Sequence, residues 1–303
     1  MIETKIHEKQ SLVRLRASDG FLVSSLLVTK DYNQKEAVLE IPTVLQIHGL
    51  LGHFLARGTP RLLPHALLER GFNSFSINSR LAYAGQITGK GIFEDSINDI
   101  DAAVNFLINE GFKNIFILGY SLGASMVVYW AAKRNNPLIK GLILEGVHYS
   151  TNEAHKMRLQ KWSGEPTYEE IYEKAKIILG NDPYNSKNDE TFIIYKSRGP
   201  TPEPINNDLF TYKTWWFMMG PHADAANAYK HIEKINLPIL FMRGENDYNV
   251  QQSEVDELVK LSSNAGNNGI RSISVPDARH DCMENPEVMV KEIVSFINNY
   301  SSD

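Results

Sequence analysis

The stretch Asn114–Trp130, NIFILGYSLGASMVVYW, decides the fold of this chain. Residues 115–118 are apolar, rich in β-branched and aromatic side chains and bounded by glycine, which predicts a buried strand. The small and apolar residues of Ala124–Ala132 predict a helix. Between them lies Gly119-Tyr120-Ser121-Leu122-Gly123, a G-x-S-x-G sequence with a strand before it and a helix after it.

This spacing suits a nucleophilic serine. The two glycines leave no side chain to collide where strand and helix crowd together, so Ser121 can occupy a sharp turn that lifts its hydroxyl clear of the sheet. The first amides of the following helix point at the same spot. A serine that only caps a helix is the alternative. The flanking strand and helix favour the nucleophile.

Composition limits the classes of function. The chain has 303 residues, of which 43% are hydrophobic and 22% charged, as in an ordinary soluble globule with one large domain. A net charge of −5 offers no basic surface for nucleic acid. The sequence has no run of 18 apolar residues, so we expect no membrane-spanning segment.

The N-terminal residues and the number of cysteines indicate in which cellular compartment the protein is found. Residues 1–20 lack the apolar core and small-residue cleavage site of a signal peptide. Cys282, the single cysteine, excludes an internal disulfide and a multi-thiolate zinc site. Although Cys282 lies two residues from His280, no turn marks it as a nucleophile, and we interpret it as a small apolar residue. We therefore expect a cytoplasmic protein.

Strands and helices alternate through the first half of the chain. Two strands joined at Asp19-Gly20 form a predicted hairpin, a polar surface loop covers Lys30–Glu36, and a glycine-punctuated loop covers Arg80–Phe93. Further strands are predicted at Thr43–Ile47, Asn73–Asn78 and Ile139–Val147, and helices at Pro60–Arg70 and Asp95–Glu110. The pattern predicts an α/β fold whose mostly parallel central sheet is flanked by helices.

The alternation stops over residues 148–233 and resumes afterwards. The segment is too long for one loop, so we predict a mainly helical cap inserted into a core of residues 1–147 and 234–303. A helix is predicted at Tyr168–Gly180, and Ser197–Asn207 is too proline-rich for regular structure. The cap would cover the carboxyl edge of the sheet, where α/β enzymes bind ligands.

The cap also contains an aromatic run. We predict that Trp215, Trp216 and Phe217, together with His148, line an apolar substrate pocket. The alternative is that the run packs the cap onto the core.

Two polar groups follow the late strands. A predicted strand at Leu237–Arg243 leads into Gly244-Glu245-Asn246-Asp247, and another at Arg271–Val275 leads into a turn that contains His280. A serine hydroxyl is a weak nucleophile unless an imidazole accepts its proton, and a carboxylate must hold that imidazole in the right tautomer. His280 is the one histidine in a loop just beyond a C-terminal strand.

The acid has competitors. Asp247 is the first choice, but Glu145 also follows a strand, and Glu245 lies two residues from Asp247. His48 and His53 suggest a metal only weakly, because no carboxylates or cysteines accompany them, and we expect no metal and no cofactor. The G-x-x-x-G-K-G run before Phe93 is one residue short of a phosphate loop.

Over essentially its whole length the chain resembles the α/β-hydrolase superfamily, in its serine esterase, lipase and lysophospholipase-like branch. The order Ser…Asp…His matches that superfamily and differs from two protease arrangements. The resemblance implies that Ser121 attacks, that His280 is the base and that Asp247 orients it. It also implies that the amides of Leu122 and of Leu50, in a loop that begins His48-Gly49, form the oxyanion hole.

The resemblance implies hydrolysis of a small-molecule carboxylic ester, with a small or acyl-chain substrate, through an acyl-enzyme intermediate. Thioesterases, peptidases and carbon–carbon bond hydrolases use the same triad, so these activities stay open. A slow-turnover ligand receptor and an interaction module that binds through its cap are also compatible with the sequence. The segment Asn78-Ser79-Arg80-Leu81 departs from the Asp, Arg and glycines of many relatives, which leaves the subfamily open but not the mechanism. The sequence does not indicate an oligomeric state.

Overall fold

The computed structural model describes residues 8–30, 35–86, 90–196 and 207–301. Residues 197–206 of the predicted proline-rich segment and residues 31–34 of the predicted surface loop lie outside this set. The described residues form ten strands: β1 (Glu8–Arg16), β2 (Leu22–Lys30), β3 (Thr43–Ile47), β4 (Asn73–Asn78), β5 (Ile115–Tyr120), β6 (Ile139–Glu145), β7 (Thr191–Ile194), β8 (Asp208–Thr211), β9 (Ile239–Gly244) and β10 (Ile270–Val275).

Eight of these strands form one sheet in the order β1-β2-β4-β3-β5-β6-β9-β10. Strand β2 runs antiparallel to both β1 and β4, and the remaining pairings are parallel. The central strands are buried on both faces, as expected for apolar runs between two layers of helices. The predicted fold class is confirmed: the architecture is that of an α/β-hydrolase.

The described residues also form nine α-helices: α1 (Lys35–Glu40), α2 (Thr59–Glu69), α3 (Ser96–Glu110), α4 (Leu122–Ala131), α5 (Thr151–Lys161), α6 (Tyr168–Leu179), α7 (Tyr212–Met219), α8 (Gln252–Asn264) and α9 (Pro286–Tyr300). Three short 3-10 helices follow α7, at Asp224–Ala226, Ala228–Lys230 and Ile232–Lys234. No helix in the described part of the chain has the length and apolarity needed to cross a bilayer.

Two apolar cores cover the two faces of the large sheet. Leu63 and Leu67 of α2 and Phe296 of α9 are fully buried in one core. The other contains side chains of α3, α4 and α8, among them Trp130 and Leu258, and continues into the inserted segment. The parallel strands of the large sheet have their carboxyl ends at one edge. The inserted segment begins after the carboxyl end of β6, at that edge.

The segment between β6 and β9 contains α5, α6, α7, the three 3-10 helices and a two-stranded antiparallel sheet of β7 and β8. The hairpin was not anticipated, because its four-residue strands are too short to show a period and its connection is rich in proline. Helix α1 was missed for a similar reason, since six residues cannot show a helical repeat. The division into a cap of residues 148–233 and a core stays a prediction.

Candidate active site

The nucleophile turn joins β5 to α4. Ser121 lies between them with φ 53° and ψ −119°, a positive φ that is strained for a residue other than glycine and is typical of such a sharp turn. A Cβ added to Gly119 would lie 2.4 Å from the carbonyl oxygen of Gly123, and one added to Gly123 would lie 2.4 Å from that of Ile47. A Cβ atom does not come this close to a carbonyl oxygen to which it is not bonded. The two glycines are therefore required by the contact of the helix start with β5 and β3.

Three polar side chains from separate loops meet at this turn. His280 Nε2 lies 2.9 Å from Ser121 Oγ, and His280 Nδ1 lies 2.7 Å from Asp247 Oδ2. Because a carboxylate can only accept, the Nδ1–H donates to Asp247 and leaves the Nε2 lone pair facing the serine hydroxyl. Asp247 follows β9 and His280 follows β10, so both come from the carboxyl edge of the sheet.

The carboxylate of Asp247 has an environment that keeps it ionised. Its side chain has no exposed surface, and its Oδ1 accepts hydrogen bonds from the amides of Asn249 at 2.7 Å and Val250 at 3.1 Å. Burial raises the pKa of Asp247, but the His280 imidazole and these two amides outweigh burial and hold the pKa below its ordinary value. The turn after β9 therefore supplies a fixed negative charge to the imidazole.

Glu145 and Glu245, the other candidates for the acid that orients His280, have hydrogen bonds to other residues. Glu245 is exposed and accepts from the amide of Asp277 at 3.0 Å. Glu145 is fully buried, and its Oε1 lies 2.8 Å from Thr59 Oγ. Burial raises the pKa of Glu145 to about 8, and neighbouring Asp281 adds to the effect. Neither glutamate has a hydrogen bond to His280 among the described residues.

Thr59 connects Glu145 to the loop that contains His280. Thr59 Oγ also lies 3.2 Å from the carbonyl oxygen of Asp281, so it has two oxygen neighbours and one proton to donate. The hydroxyl donates to Glu145 Oε1, and the Asp281 carbonyl is a second acceptor within its reach.

Two amides border the nucleophile. Among the described residues, neither the amide of Leu50 nor that of Leu122 donates a hydrogen bond. The first lies in the loop after β3, and the second begins α4. A Cβ added to Gly49 would lie 3.1 Å from Ser121 Cβ, so the β3 loop lies directly against the serine.

His48 fixes the orientation of one of these amides. The backbone amide of Ser79 donates to His48 Nε2 at 3.2 Å, so the ring carries its hydrogen on Nδ1 and donates it to the Gly49 carbonyl at 2.9 Å. Because C=O and N–H of a trans peptide point in opposite directions, this bond directs the Leu50 amide away from His48. Burial lowers the pKa of His48 to about 4, which keeps the ring neutral.

Ser121 and His280 line a cavity of about 190 Å³, whose other walls come from the β3 loop, the β9 turn and the inserted segment. The lining residues besides these two are Leu50, Leu51, Tyr120, His155, Arg158, Leu159, Trp162, Lys196, Asp208 and Asn249. The volume is below that of pockets for drug-sized ligands, so the cavity suits a small acyl or alcohol group.

The residues predicted to line a substrate pocket are not among these walls. Trp215 is fully buried and donates its indole N–H to His155, and Trp216 stacks on Tyr172. Phe217 packs edge-on against Tyr184. The aromatic run therefore packs inside the inserted segment and does not face the cavity.

His148 lies closer to the triad but does not border the cavity. Its ring centroid is 6.1 Å from that of His280, and its two ring nitrogens have no hydrogen-bond partner among the described residues. Burial lowers its pKa well below the ordinary value, so the ring is neutral.

Arg158, Lys196 and Asp208 are the charged cavity residues, and the sequence did not indicate them. They belong to α5, to the chain after β7 and to the start of β8. No motif connects them, and only the folded insertion brings them together.

Cys282 is fully buried, and burial raises the pKa of its thiol, so it is not a nucleophile. Within the described ranges, no group of three or more potential ligand side chains is arranged to hold a metal.

The comparisons with known proteins agree with this architecture. The esterase Pf2001 of Pyrococcus furiosus has a TM-score of 0.65 and 17% identity, covering 97% of this chain and 91% of that chain. Est1E from Butyrivibrio proteoclasticus has a TM-score of 0.64 and 16% identity, covering 96% and 99%. The α/β-hydrolase GrgF from Penicillium sp. sh18 has a TM-score of 0.68 and 10% identity, covering 97% and 100%. At these identities the likeness concerns the fold.

Sequence comparison gives the family. No curated protein sequence matches the chain significantly. A family profile described as "Serine aminopeptidase, S33" matches residues 42–287, a range that includes the nucleophile turn and both loops that complete the hydrogen-bonded series. Because this match covers most of the chain, the protein belongs to the serine aminopeptidase S33 family, and its fold is that of the α/β-hydrolases.

Proposed function

We propose that the protein is a serine hydrolase that cleaves a small carboxylic ester through an acyl-enzyme intermediate. One observation supports this most strongly: the unbroken series Asp247–His280–Ser121, with distances of 2.7 Å and 2.9 Å, beside a small cavity. The two amides without acceptors add support, since they lie next to the serine. The proposal gives each group a role in one reaction.

In this mechanism Ser121 Oγ attacks the ester carbonyl carbon while His280 Nε2 accepts the hydroxyl proton. Asp247 stabilises the imidazolium that forms and holds its orientation. The carbonyl oxygen becomes an oxyanion, and the amides of Leu50 and Leu122 donate hydrogen bonds to it. His280 then returns the proton to the leaving alcohol, and water, activated by the same imidazole, releases the acid from Ser121.

An aminopeptidase is the second candidate, because the family description names that activity. An aminopeptidase must bind the ammonium of a free N-terminus, which requires a negative site. Asp208 is the one carboxylate among the described lining residues, and its Oδ2 is already 2.6 Å from Lys196 Nζ. Arg158 lines the same cavity. This arrangement favours an ester over a peptide with a free ammonium.

The test is a panel of para-nitrophenyl esters and matching thioesters of graded chain length. We expect repeated turnover on short-chain esters, after a burst if deacylation is slow, and none in Ser121→Ala. A fluorophosphonate should label the protein covalently but not the variant, because the reagent mimics the tetrahedral state. One equivalent of product followed by no further release, across the whole panel, would favour a slow-turnover receptor instead. Turnover confined to thioesters would favour a thioesterase.

A further inference from the structure

Arg158 lies in the wall of the cavity, and the described residues provide it with no hydrogen-bond or ion-pair partner. It belongs to α5, is partly buried, and lines the same cavity as Ser121 and His280. Among the described residues it has no hydrogen bond or ion pair from its guanidinium. An unpaired guanidinium is unusual in a desolvated place, because removing the charge from water is costly unless an anion compensates it.

The charges nearby do not provide that compensation. Burial lowers the pKa of Arg158, whereas Asp208, Glu254 and Asp247 act in the opposite direction without contacting it. The guanidinium nevertheless stays protonated at any ordinary pH. Glu254 instead accepts from the amide of Tyr149.

A charge count of the cavity walls leaves one positive charge. Lys196 and Asp208 neutralise each other at 2.6 Å, with side chains 9% and 6% exposed. His155 accepts the indole N–H of Trp215 at 3.1 Å, and burial lowers its pKa well below the ordinary value, so this ring is neutral. Arg158 is thus the cation without a counter-charge in the described walls of the cavity.

We propose that Arg158 binds a carboxylate of the substrate, so that the preferred substrate is an ester that bears a second, ionised acid group. The inference rests on the proposed ester hydrolysis and specifies its substrate class. A carboxylate matches the planar fork of guanidinium donors and balances a single charge. A dianionic phosphate would need a second free cation, and Lys196 is already paired.

Arg57 provides the competing location for an anion. It lines a second, more open cavity of about 420 Å³ that His280 also lines, and its side chain is exposed. An exposed cation interacts weakly because water and salt screen it. We therefore expect the substrate carboxylate at Arg158 and not at Arg57.

The first experiment compares kcat/KM for pairs of para-nitrophenyl esters. One member of each pair is the hemiester of succinate, glutarate or adipate, and the other is the same compound with its free carboxylate methylated. We expect at least one hemiester to exceed its neutral partner by roughly tenfold or more, as a charge-assisted hydrogen bond provides. In Arg158→Met this ratio should fall to about one, and Arg158→Lys should keep part of it.

Two matched controls define the site. Lys156→Met removes a cation from the same helix at a place outside the cavity, where Lys156 pairs with Glu169. Arg57→Met removes a cation from the open cavity, whose other arginine, Arg279, pairs with Glu284. Both should keep the wild-type ratio. Absence of any preference in the wild type, its survival in Arg158→Met, or its loss in Arg57→Met would each overturn the proposal.

The second experiment separates this inference from the proposed function. Monomethyl glutarate is titrated calorimetrically into Ser121→Ala and into Ser121→Ala combined with Arg158→Met, after thermal unfolding has shown that both are folded. We expect at least tenfold weaker binding in the double variant. Binding that depends on Arg158 without turnover of any ester would retain the anion site and reject the esterase. Ester turnover by the wild type, together with equal binding by the two variants, would support the esterase and reject the anion site.

Discussion

Replacing Asp247 by asparagine should reduce turnover by about four orders of magnitude, for a reason that the surrounding hydrogen bonds specify. Asp247 Oδ1 accepts the amides of Asn249 and Val250. In Asp247→Asn these amides still require an oxygen, so the new NH₂ group must take the place of Oδ2 and face His280. The NH₂ group can only donate, which forces the imidazole to carry its hydrogen on Nε2.

An Nε2–H cannot accept the serine proton, and the base is lost while the geometry is kept. A loss of roughly 10⁴ in kcat corresponds to about 5.5 kcal/mol of activation free energy. The assay is steady-state hydrolysis of a short-chain aryl ester, with KM expected to change little because no wall of the cavity changes. Thermal unfolding of the variant verifies that it is folded.

Glu145→Gln is the matched control, because it makes the same chemical change in the other buried acid near the site. We expect it to keep kcat within about tenfold, since Glu145 has no bond to His280 among the described residues. If Asp247→Asn kept activity while Glu145→Gln lost it, the assignment of the acid to Asp247 would be refuted.

Two further predictions concern the neighbours of the triad. His48→Ala removes the bond that orients the Leu50 amide, so kcat should fall by roughly 10² with little change in KM, as measured by ester kinetics; an unchanged kcat would contradict the role of His48. Glu145 has its pKa raised to about 8 in the folded chain and holds its proton there, whereas the unfolded chain releases it at its ordinary value near 4.5. As the pH rises from about 5 to about 8, wild type should therefore lose stability relative to Glu145→Gln, and the difference should be constant above that range; parallel unfolding curves would contradict a buried neutral acid.

The sequence was sufficient for those parts of the site that have a local signal. Gly119 and Gly123 flank the turn of Ser121, and a Cβ at either position would lie 2.4 Å from a backbone carbonyl oxygen. The turn can therefore be recognised from the five residues 119–123. Asp247 and His280 each follow a strand of a parallel sheet, and the carboxyl ends of such strands share one edge. For this reason their convergence could be expected before any coordinates were available.

The cavity could not be predicted in the same way. Its polar walls come from α5, from the chain after β7 and from β8, and neither hairpin strand is long enough to be recognised in the sequence. The aromatic residues at 215–217 were the visible signal, but Trp215 satisfies its indole N–H on His155 within the inserted segment. A run of large apolar side chains indicates that these residues are buried, but it does not indicate which part of the protein they pack against.

Thr59 has a consequence for anyone who wishes to transplant this site into a designed scaffold. Its hydroxyl lies within reach of Glu145 Oε1 and of the Asp281 carbonyl, and the backbone carbonyl of Glu145 accepts the amide of Ser121 at 2.7 Å. The loop that holds the base and the turn that holds the nucleophile are thus linked through one buried hydroxyl and one neutral acid. The smallest group of side chains to transplant is therefore Ser121, His280, Asp247, Thr59 and Glu145. A graft of the first three alone would omit the two that hold the loop of His280 against the turn of Ser121.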